Sequence, residues 1–341
     1  MIKSLLGLRY VFFIFIFLFH FSITYFESPV LKHAGEIGVT FFFILSGFVL
    51  AFKYQSYTSI GSTFIIKRIN KIYPLYLLVL AGTILMSYYN WNMNSYVKLV
   101  PNVLLLQSWI PLKSFGSSGV SVSWFLSDLM FFYFIYKYIL YFFERFNLKI
   151  VGIGILIWVL INVFLIEFNV ISDSHRFWFF YICPISRLLD FVIGVYLCRL
   201  FLSEKFVLRV NNSNIVQISS LVILFIMFFL SPLIPQDYLY DLYFIFPCSL
   251  LIFIFALTDS NGFLSSFLGN KYMVKLGENS FACYLIHYDI VIFALYRMDV
   301  LNLQENYLII FLIVNLVVAT SLGFSANSLV LGKKIFKIRP N

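Results

Sequence analysis

Charged residues are scarce in this chain, and their scarcity excludes a soluble fold. Lys, Arg, Asp and Glu make up 11% of the 341 residues, whereas hydrophobic residues make up 62% and Phe alone contributes 43. A soluble domain of this size cannot bury so much apolar surface. The composition therefore predicts an all-α, polytopic integral membrane protein, in which residues 1–341 form a single transmembrane domain.

Cysteine is also scarce, and the positions of its four residues exclude the usual thiol chemistry. Cys183, Cys198, Cys248 and Cys283 fall within apolar runs or at their ends, and no two of them have the CxxC spacing. Isolated cysteines in such runs are typical of small buried hydrophobic residues. The sequence therefore predicts neither a disulfide framework nor a metal site.

Long apolar runs are abundant, and ten of them are long enough to cross a membrane. The predicted spans are 6–26, 35–52, 72–89, 120–142, 149–167, 177–199, 214–231, 241–258, 278–296 and 306–330. The apolar stretch 100–110 is too short to cross a bilayer, and we interpret it as a re-entrant or interfacial piece.

Basic residues are unevenly distributed between the predicted loops, and this sets the orientation. With the N-terminus in the cytoplasm, seventeen Lys and Arg residues fall on the cytoplasmic side and five on the outer side, as the positive-inside rule requires. An even number of spans then places both termini in the cytoplasm. We expect a multi-pass protein of the inner (plasma) membrane, and a net charge of +9 that reflects membrane orientation rather than nucleic-acid binding.

The first span carries two ionisable residues, Arg9 and His20. The step of eleven residues between them corresponds to about 1100° of rotation, which is only about 20° from the same helical face, and to about 16 Å along the axis. Ionisable groups are costly in lipid, so this stripe should face a protein interior or a wet cavity. We therefore interpret the stripe as part of a functional site.

Five further ionisable residues lie at membrane depth. They are Asp128, Arg187, Asp190, His287 and Asp289. Arg187 and Asp190 are i,i+3 neighbours that can form an ion pair, and His287 shares a helical face with Tyr284 and Ser280. His287 and His20 have comparable predicted depths, so their imidazoles meet if the two helices line one cavity. For each residue, a structural hydrogen bond between helices is the alternative.

A cluster of basic residues, KRINKIYP, precedes the core of the third predicted span. Lys67, Arg68 and Lys71 fall within little more than one helical turn of each other, and Pro74 follows them. One interpretation is an anchor of the positive-inside type. The other is a binding patch for a phosphate-containing ligand such as a nucleotide diphosphate.

Six segments, taken together and in this order, resemble the motifs of acyltransferase family 3, a family of integral-membrane acyltransferases that mostly O-acetylate surface polysaccharides. They are LGLRYVFFIFIFLFH (6–20), GVTFFFILSGFVL (38–50), KRINKIYPLY (67–76), SWFLSDLMFFY (123–133), SRLLDFVIG (186–194) and LGENSFACYLIH (276–287). The resemblance runs the length of the chain and is to the stand-alone form of the family, which has no esterase-like domain.

The chain departs from the family pattern at three places, one of which is the segment LVLGKKIFK (329–337), where the family's usual Glu-x-Pro is missing. Many members carry Glu where this chain has Leu129 and Met130, and the nearest carboxylate, Asp128, lies one position away. Many members follow the late His with x-Pro, where this chain has Tyr288 and Asp289.

The resemblance implies a membrane O-acyltransferase, most simply an O-acetyltransferase. Its donor would be cytoplasmic acyl-CoA (acetyl-CoA), and its acceptor a hydroxyl of a cell-surface glycan or of a lipid-linked glycan precursor. The resemblance assigns catalysis to His20, as general base or acyl relay, and to His287, which would position or share that proton transfer. It assigns CoA binding to Arg9, Lys67, Arg68 and Lys71. Substrate contact or structural support, including stabilisation of an oxyanion, falls to Ser46, Asp128, Arg187, Asp190 and Tyr284.

Two other classes of function fit the same residues. A secondary transporter also has about ten spans with buried His, Arg and Asp, and it would take up its substrate without consuming CoA. A polysaccharide-export protein would tolerate the loss of His20. The basic cluster distinguishes the enzyme from the transporter, because a CoA-dependent enzyme needs a cytoplasmic phosphate patch and a proton-coupled transporter does not.

Overall fold

The computed structural model describes residues 2–25, 28–61, 63–87, 93–203, 213–259, 261–301 and 308–332, and this part of the chain contains helices and no strand. Ten long helices dominate it. They are α1 (Lys3–Tyr25), α2 (Ala34–Lys53), α3 (Thr63–Ser87), α4 (Trp124–Arg145), α5 (Leu148–Glu167), α6 (Pro184–Leu202), α7 (Ser213–Leu230), α8 (Leu242–Leu257), α9 (Lys271–Leu301) and α10 (Leu308–Gly332).

Shorter helical pieces connect the long helices. The α-helical ones are Met93–Val103, Lys113–Gly116, Asp173–Phe177, Gln236–Leu239 and Phe263–Leu268. Single 3₁₀ turns occur at Leu31–His33, Tyr57–Ser59, Gln107–Trp109 and Ser231–Leu233, and a π-helical turn at Trp178–Ile182 precedes α6. The stretch 100–110 therefore consists of a helix end and one turn, neither of which can cross a membrane.

Eight helices in the described part of the chain are long and apolar enough to cross a membrane, which confirms an all-helical membrane protein. They are Lys3–Tyr25, Leu31–Lys53, Thr63–Met86, Trp124–Arg145, Leu148–Glu167, Ser213–Leu233, Gln236–Leu257 and Leu308–Val330. The other two expected spans, 177–199 and 278–296, correspond to α6 and α9, which are helical but are not among the eight. A count of ten spans therefore stays a prediction.

The orientation also stays a prediction. Six of the seventeen basic residues assigned to the cytoplasmic side lie outside the described residues. They are Lys205, Arg209, Lys333, Lys334, Lys337 and Arg339.

The centre of the bundle is built from α1, α2, α6 and α9, and glycines allow their close approach. A Cβ at Gly47 of α2 would lie 2.0 Å from the carbonyl oxygen of Phe191, and a Cβ at Gly194 of α6 would lie 1.9 Å from the carbonyl oxygen of Ile44. Each glycine thus receives the backbone of the opposite helix. Small residues of this kind let membrane helices pack backbone against backbone, which explains the glycines in the second and fifth family-like segments.

The α1–α9 pair is equally close, and it sets the register of the two histidine-bearing helices. A Cβ at Gly277 would lie 1.8 Å from the carbonyl oxygen of Leu6. Because this contact fixes one end of the pair, residues about a dozen positions further along each helix also face one another. His20 and His287 lie in that part of the two helices.

Candidate active site

A cavity of about 1190 Å³ lies between α1, α2, α3, α4, α9 and α10, near the N-terminal half of α1 and the C-terminal end of α2. We call it the cationic cavity. Five basic side chains line it, namely Arg9, Lys53, Arg68, Lys71 and Lys275. Among the described lining residues, Glu278 is the one acid. The cavity is therefore suited to a ligand with several negative charges.

Arg68 is held in the cavity wall by aromatic rings rather than by carboxylates. Its guanidinium carbon lies 5.3 Å from the ring centre of Tyr54, 5.2 Å from that of Phe64 and 5.4 Å from that of Tyr133. Cation–π contacts of this kind orient a guanidinium without using its N–H donors. Its Nε and Nη2 atoms are buried and have no hydrogen-bond partner in the described part of the chain. These donors remain available for an anion.

Arg9 and Lys71 also line the cavity, whereas Lys67 does not. Arg9 is partly buried, and no ion pair joins it to a carboxylate among the described residues. Lys67 is exposed to the surroundings. The structure therefore brings three of the four predicted CoA-binding residues to one cavity and leaves the fourth outside it.

Six residues of α2 line the cationic cavity, and four of them are Phe42, Ser46, Val49 and Lys53. Their spacing of i, i+4, i+7 and i+11 places them on one face of the helix. Ser46 was expected from the family-like segment, whereas Lys53 was assigned to the membrane orientation alone. The seven-residue step from Ser46 to Lys53 is the signal that would have found it.

Lys275 was missed for a similar reason. It precedes the family-like segment 276–287, and its charge was counted toward orientation, although the structure places it in the cavity wall with Ser280 and Tyr284. Lys275 lies near the start of α9 and not at membrane depth. It is therefore not among the ionisable residues inside the predicted spans.

His20 and His287 form a hydrogen-bonded pair. Nδ1 of His20 and Nε2 of His287 are 2.9 Å apart, and the ring centres are 4.9 Å apart. His287 is fully buried against Phe13 and Phe17 of α1, and His20 is partly exposed between Phe19 and Tyr288. The structure therefore brings together the two histidines that the sequence placed at comparable depth.

The hydrogen bonds of the pair determine which nitrogen of each neutral ring carries a proton. Nδ1 of His287 lies 2.5 Å from the carbonyl oxygen of Tyr284, and a carbonyl oxygen can only accept. Nδ1 of His287 is therefore the donor, and its Nε2 accepts from Nδ1–H of His20. The carbonyl oxygen of Ile16, 3.1 Å from Nδ1 of His20, also accepts from that N–H. Nε2 of His20 is left without a proton, which is the state that a general base requires.

Tyr284 connects the cavity to the histidine pair. Its side chain lines the cationic cavity, its hydroxyl donates to the carbonyl oxygen of Val122 over 2.7 Å, and its ring centre lies 5.7 Å from that of His287. Neither histidine is among the described residues that line the cavity. The pair therefore lies one helical turn beyond the cavity, behind the ring of Tyr284.

Arg187 and Asp190 belong to a separate buried group, which we call the ionic brace. Nη1 of Arg187 lies 3.2 Å from Oδ2 of Asp190 and 3.3 Å from Oδ1 of Asp241, and Nε donates to the carbonyl oxygen of Tyr181 over 2.9 Å. Arg187 and Asp190 are completely buried. Asp241 was not anticipated, because no local spacing links it to a residue 54 positions away.

The two remaining membrane-depth acids lie apart from the histidine pair. Asp289 accepts a hydrogen bond of 2.6 Å from Oγ1 of Thr83. This is a structural contact between helices, which was the alternative to a functional role for Asp289. Asp128 is completely buried, and within the described chain its carboxylate oxygens have no hydrogen-bond partner. No hydrogen bond joins either acid to His20 or His287 in the described residues.

Comparisons with known proteins agree with these observations. A family described as an acyltransferase domain matches residues 2–326 of the chain. Acyltransferase MdmB of Streptomyces mycarofaciens is 29% identical over 272 residues, which correspond to 75% of this chain and 68% of that protein. No solved structure matches the chain.

Proposed function

Because the chain belongs to acyltransferase family 3 and is built as a helical membrane protein, we propose that this membrane acyltransferase is an O-acetyltransferase of the inner membrane. Its donor is cytoplasmic acetyl-CoA, and its acceptor is a hydroxyl of a cell-surface glycan or of a lipid-linked glycan precursor. Both termini lie in the cytoplasm, so that the cationic cavity is reached from the side that holds acyl-CoA.

The cationic cavity supports acyl-CoA as the donor. CoA carries a diphosphate and a 3′-phosphate, and these groups need fixed cations with free donors. Arg9, Arg68 and Lys71 line the cavity, and the two buried N–H groups of Arg68 have no partner in the described chain. A proton-coupled transporter has no need of such a phosphate patch, and this difference favours the enzyme over the transporter.

The hydrogen bond between His20 and His287 carries the proposal for the chemistry. In the proposed step, the acceptor oxygen bonds to the acyl carbon while its proton moves to Nε2 of His20. The thioester C–S bond then breaks, and the released CoA thiolate takes up that proton, which regenerates neutral His20. His287 acts by holding His20 in the required tautomer over the 2.9 Å contact.

The geometry distinguishes candidates for supporting the oxyanion. The charge of Arg187 is compensated by two carboxylates, although its Nη2 has no partner in the described chain. The Tyr284 hydroxyl donates to a backbone carbonyl, and we assign both residues to the fold. Ser46 lines the cationic cavity, and its hydroxyl is the remaining donor among the three. We assign Ser46 to contact with the donor inside the cavity rather than to the oxyanion at the histidine pair.

The proposal is tested by the alkali-labile acetyl esters of surface glycan from a deletion strain that carries wild-type or variant protein. We expect His20→Ala to lower ester formation by about 10²–10⁴-fold, as for the loss of a general base, at unchanged protein level. His175→Ala is the matched control, since His175 is an exposed histidine remote from the pair. Wild-type ester levels in His20→Ala would reject the assignment.

A further inference from the structure

Three aromatic rings line the cationic cavity on the side that faces the histidine pair. Phe42, Phe125 and Tyr284 all line the cavity, and each ring contacts the other two. The ring centres are 6.3 Å apart for Phe42 and Phe125, 6.5 Å for Phe42 and Tyr284, and 5.7 Å for Phe125 and Tyr284. We call this group the aromatic gauge.

The gauge lies between the proposed donor site and the proposed base. On one side are the cations of the cavity; on the other, the ring centre of His287 is 5.7 Å from that of Tyr284. Beyond the gauge, Phe13 and Phe17 pack against His287, with ring centres 5.7 Å and 6.4 Å away. An acyl group that reaches the histidine pair from the cavity therefore passes the three rings on its way.

The three rings differ in how firmly they are held. Tyr284 is fixed by its hydrogen bond to the carbonyl oxygen of Val122, and Phe125 is packed against Phe43 with ring centres 4.3 Å apart. Phe42 is only partly buried, and its exposed surface faces the cavity that it lines. Phe42 is therefore the member that can turn aside, and the one whose removal enlarges the passage with the least damage to the core.

From this arrangement we propose that the aromatic gauge limits the donor to short acyl chains, with Phe42 as the principal specificity-determining residue. This inference rests on the proposed function and assigns the acyl specificity of the same site. Closely packed rings leave room for the two-carbon acetyl group, whereas each additional methylene must displace an aromatic side chain. Steric selection of this type changes relative rates by about 10–200-fold per methylene.

The test measures donor selection by membrane vesicles that contain the full-length protein and its natural acceptor. Radiolabelled acetyl-CoA and butyryl-CoA are supplied separately, and the label released from glycan by alkali gives kcat/KM for each donor. Wild-type protein should prefer acetyl-CoA by at least about 10-fold. Phe42→Ala should raise the butyryl-to-acetyl ratio by at least about 10-fold, and Phe42→Leu should raise it by less.

Controls separate this inference from the proposed function. Phe134→Ala removes an exposed aromatic ring of α4 that does not line the cavity, and it should leave the donor ratio unchanged. Phe125→Leu provides a second enlargement of the same passage if Phe42→Ala accumulates poorly. Direct binding of acetyl-CoA to purified wild-type protein is measured in parallel.

Each outcome decides a different point. In one outcome, the wild type binds and transfers acetyl-CoA while the butyryl-to-acetyl ratio stays unchanged in Phe42→Ala, Phe42→Leu and Phe125→Leu. That result would overturn the role of the aromatic gauge in acyl specificity and leave the proposed function intact. Equal use of acetyl-CoA and butyryl-CoA by the wild type would also overturn it. Failure of the wild type to bind any acyl-CoA would overturn the proposed function and the gauge with it.

Discussion

Arg9 and Arg187 lie in the interior of one helical bundle but in opposite electrostatic surroundings. Arg187 contacts Asp190 and Asp241 at 3.2 Å and 3.3 Å. Arg9 has no ion-pair partner among the described residues and faces a cavity with four other cations. A buried charge needs compensation. The fold supplies it at Arg187, and we propose that a bound anionic ligand supplies it at Arg9.

The partners of an arginine indicate whether it serves the fold or a binding site more clearly than its degree of burial does. Arg187 is the more buried of the two and belongs to a family-like segment, which would favour it as a catalytic group. Its charge, however, is compensated by two carboxylates, and its Nε donates to a backbone carbonyl, although its Nη2 has no partner in the described chain. We propose that the arginines that take part in substrate binding are those without a carboxylate partner among the described residues, Arg9 and Arg68.

The largest effect on stability should come from breaking the ionic brace. Arg187→Ala leaves Asp190 and Asp241 buried without their cation, which should cost about 3–5 kcal/mol of folding free energy. We expect loss of folded protein, measured by size-exclusion chromatography and thermal unfolding in detergent. Arg9→Ala is the matched control and should keep the wild-type unfolding temperature. A stable Arg187→Ala protein with unchanged unfolding would contradict the distinction between the two arginines.

An intermediate effect is expected at Arg9, and it should appear in binding rather than in stability. Removing one charge-assisted phosphate contact should weaken acetyl-CoA binding by about 1.5–3 kcal/mol, or about 10-fold to 150-fold. Arg9→Lys should recover only part of the affinity, because a lysine lacks the bidentate fork. The measurement is a titration of purified protein with labelled acetyl-CoA; unchanged affinity in Arg9→Ala would remove Arg9 from the donor site.

The smallest effect should distinguish two lysines of the same sequence cluster. Lys71 lines the cationic cavity, whereas Lys67 is exposed outside it. Both side chains are exposed, so the difference between them is the cavity. We therefore expect Lys71→Ala to weaken acetyl-CoA binding, and Lys67→Ala to change it by less than about twofold, as is usual for an exposed charge outside a binding cavity. Equal losses in the two variants would show that the basic segment acts as a whole through long-range attraction.

The sequence predicted the local parts of the site and missed its long-range parts. Helical periodicity placed Arg9 and His20 on one face, and the i,i+3 spacing predicted the Arg187–Asp190 contact that the structure shows. The position of each histidine along its own helix predicted a comparable depth for His20 and His287. Because α1 packs against α9, the two side chains at that depth form a hydrogen bond. The first two relations follow from geometry within single helices, and the third needs in addition the packing of α1 against α9.

Lys53, Lys275 and Asp241 could not be assigned in the same way. Lys53 and Lys275 sit at helix ends, where a positive charge is already explained by membrane orientation, and only the assembled bundle shows that they face one cavity. Asp241 meets Arg187 through the packing of α8 against α6. Lys67 is the converse case, because its position in a basic cluster indicated a binding role that its exposure outside the cavity does not support.

The central claim is that the cationic cavity binds the donor while the histidine pair performs the transfer. It is tested most directly by measuring acetyl-CoA affinity and acetyl transfer for the same purified or vesicle-embedded His20→Ala protein. The account predicts an affinity within about twofold of wild type, since His20 lies outside the cavity, together with a fall in transfer of about 10²–10⁴-fold. Loss of binding in parallel with activity, or transfer at the wild-type rate, would contradict it.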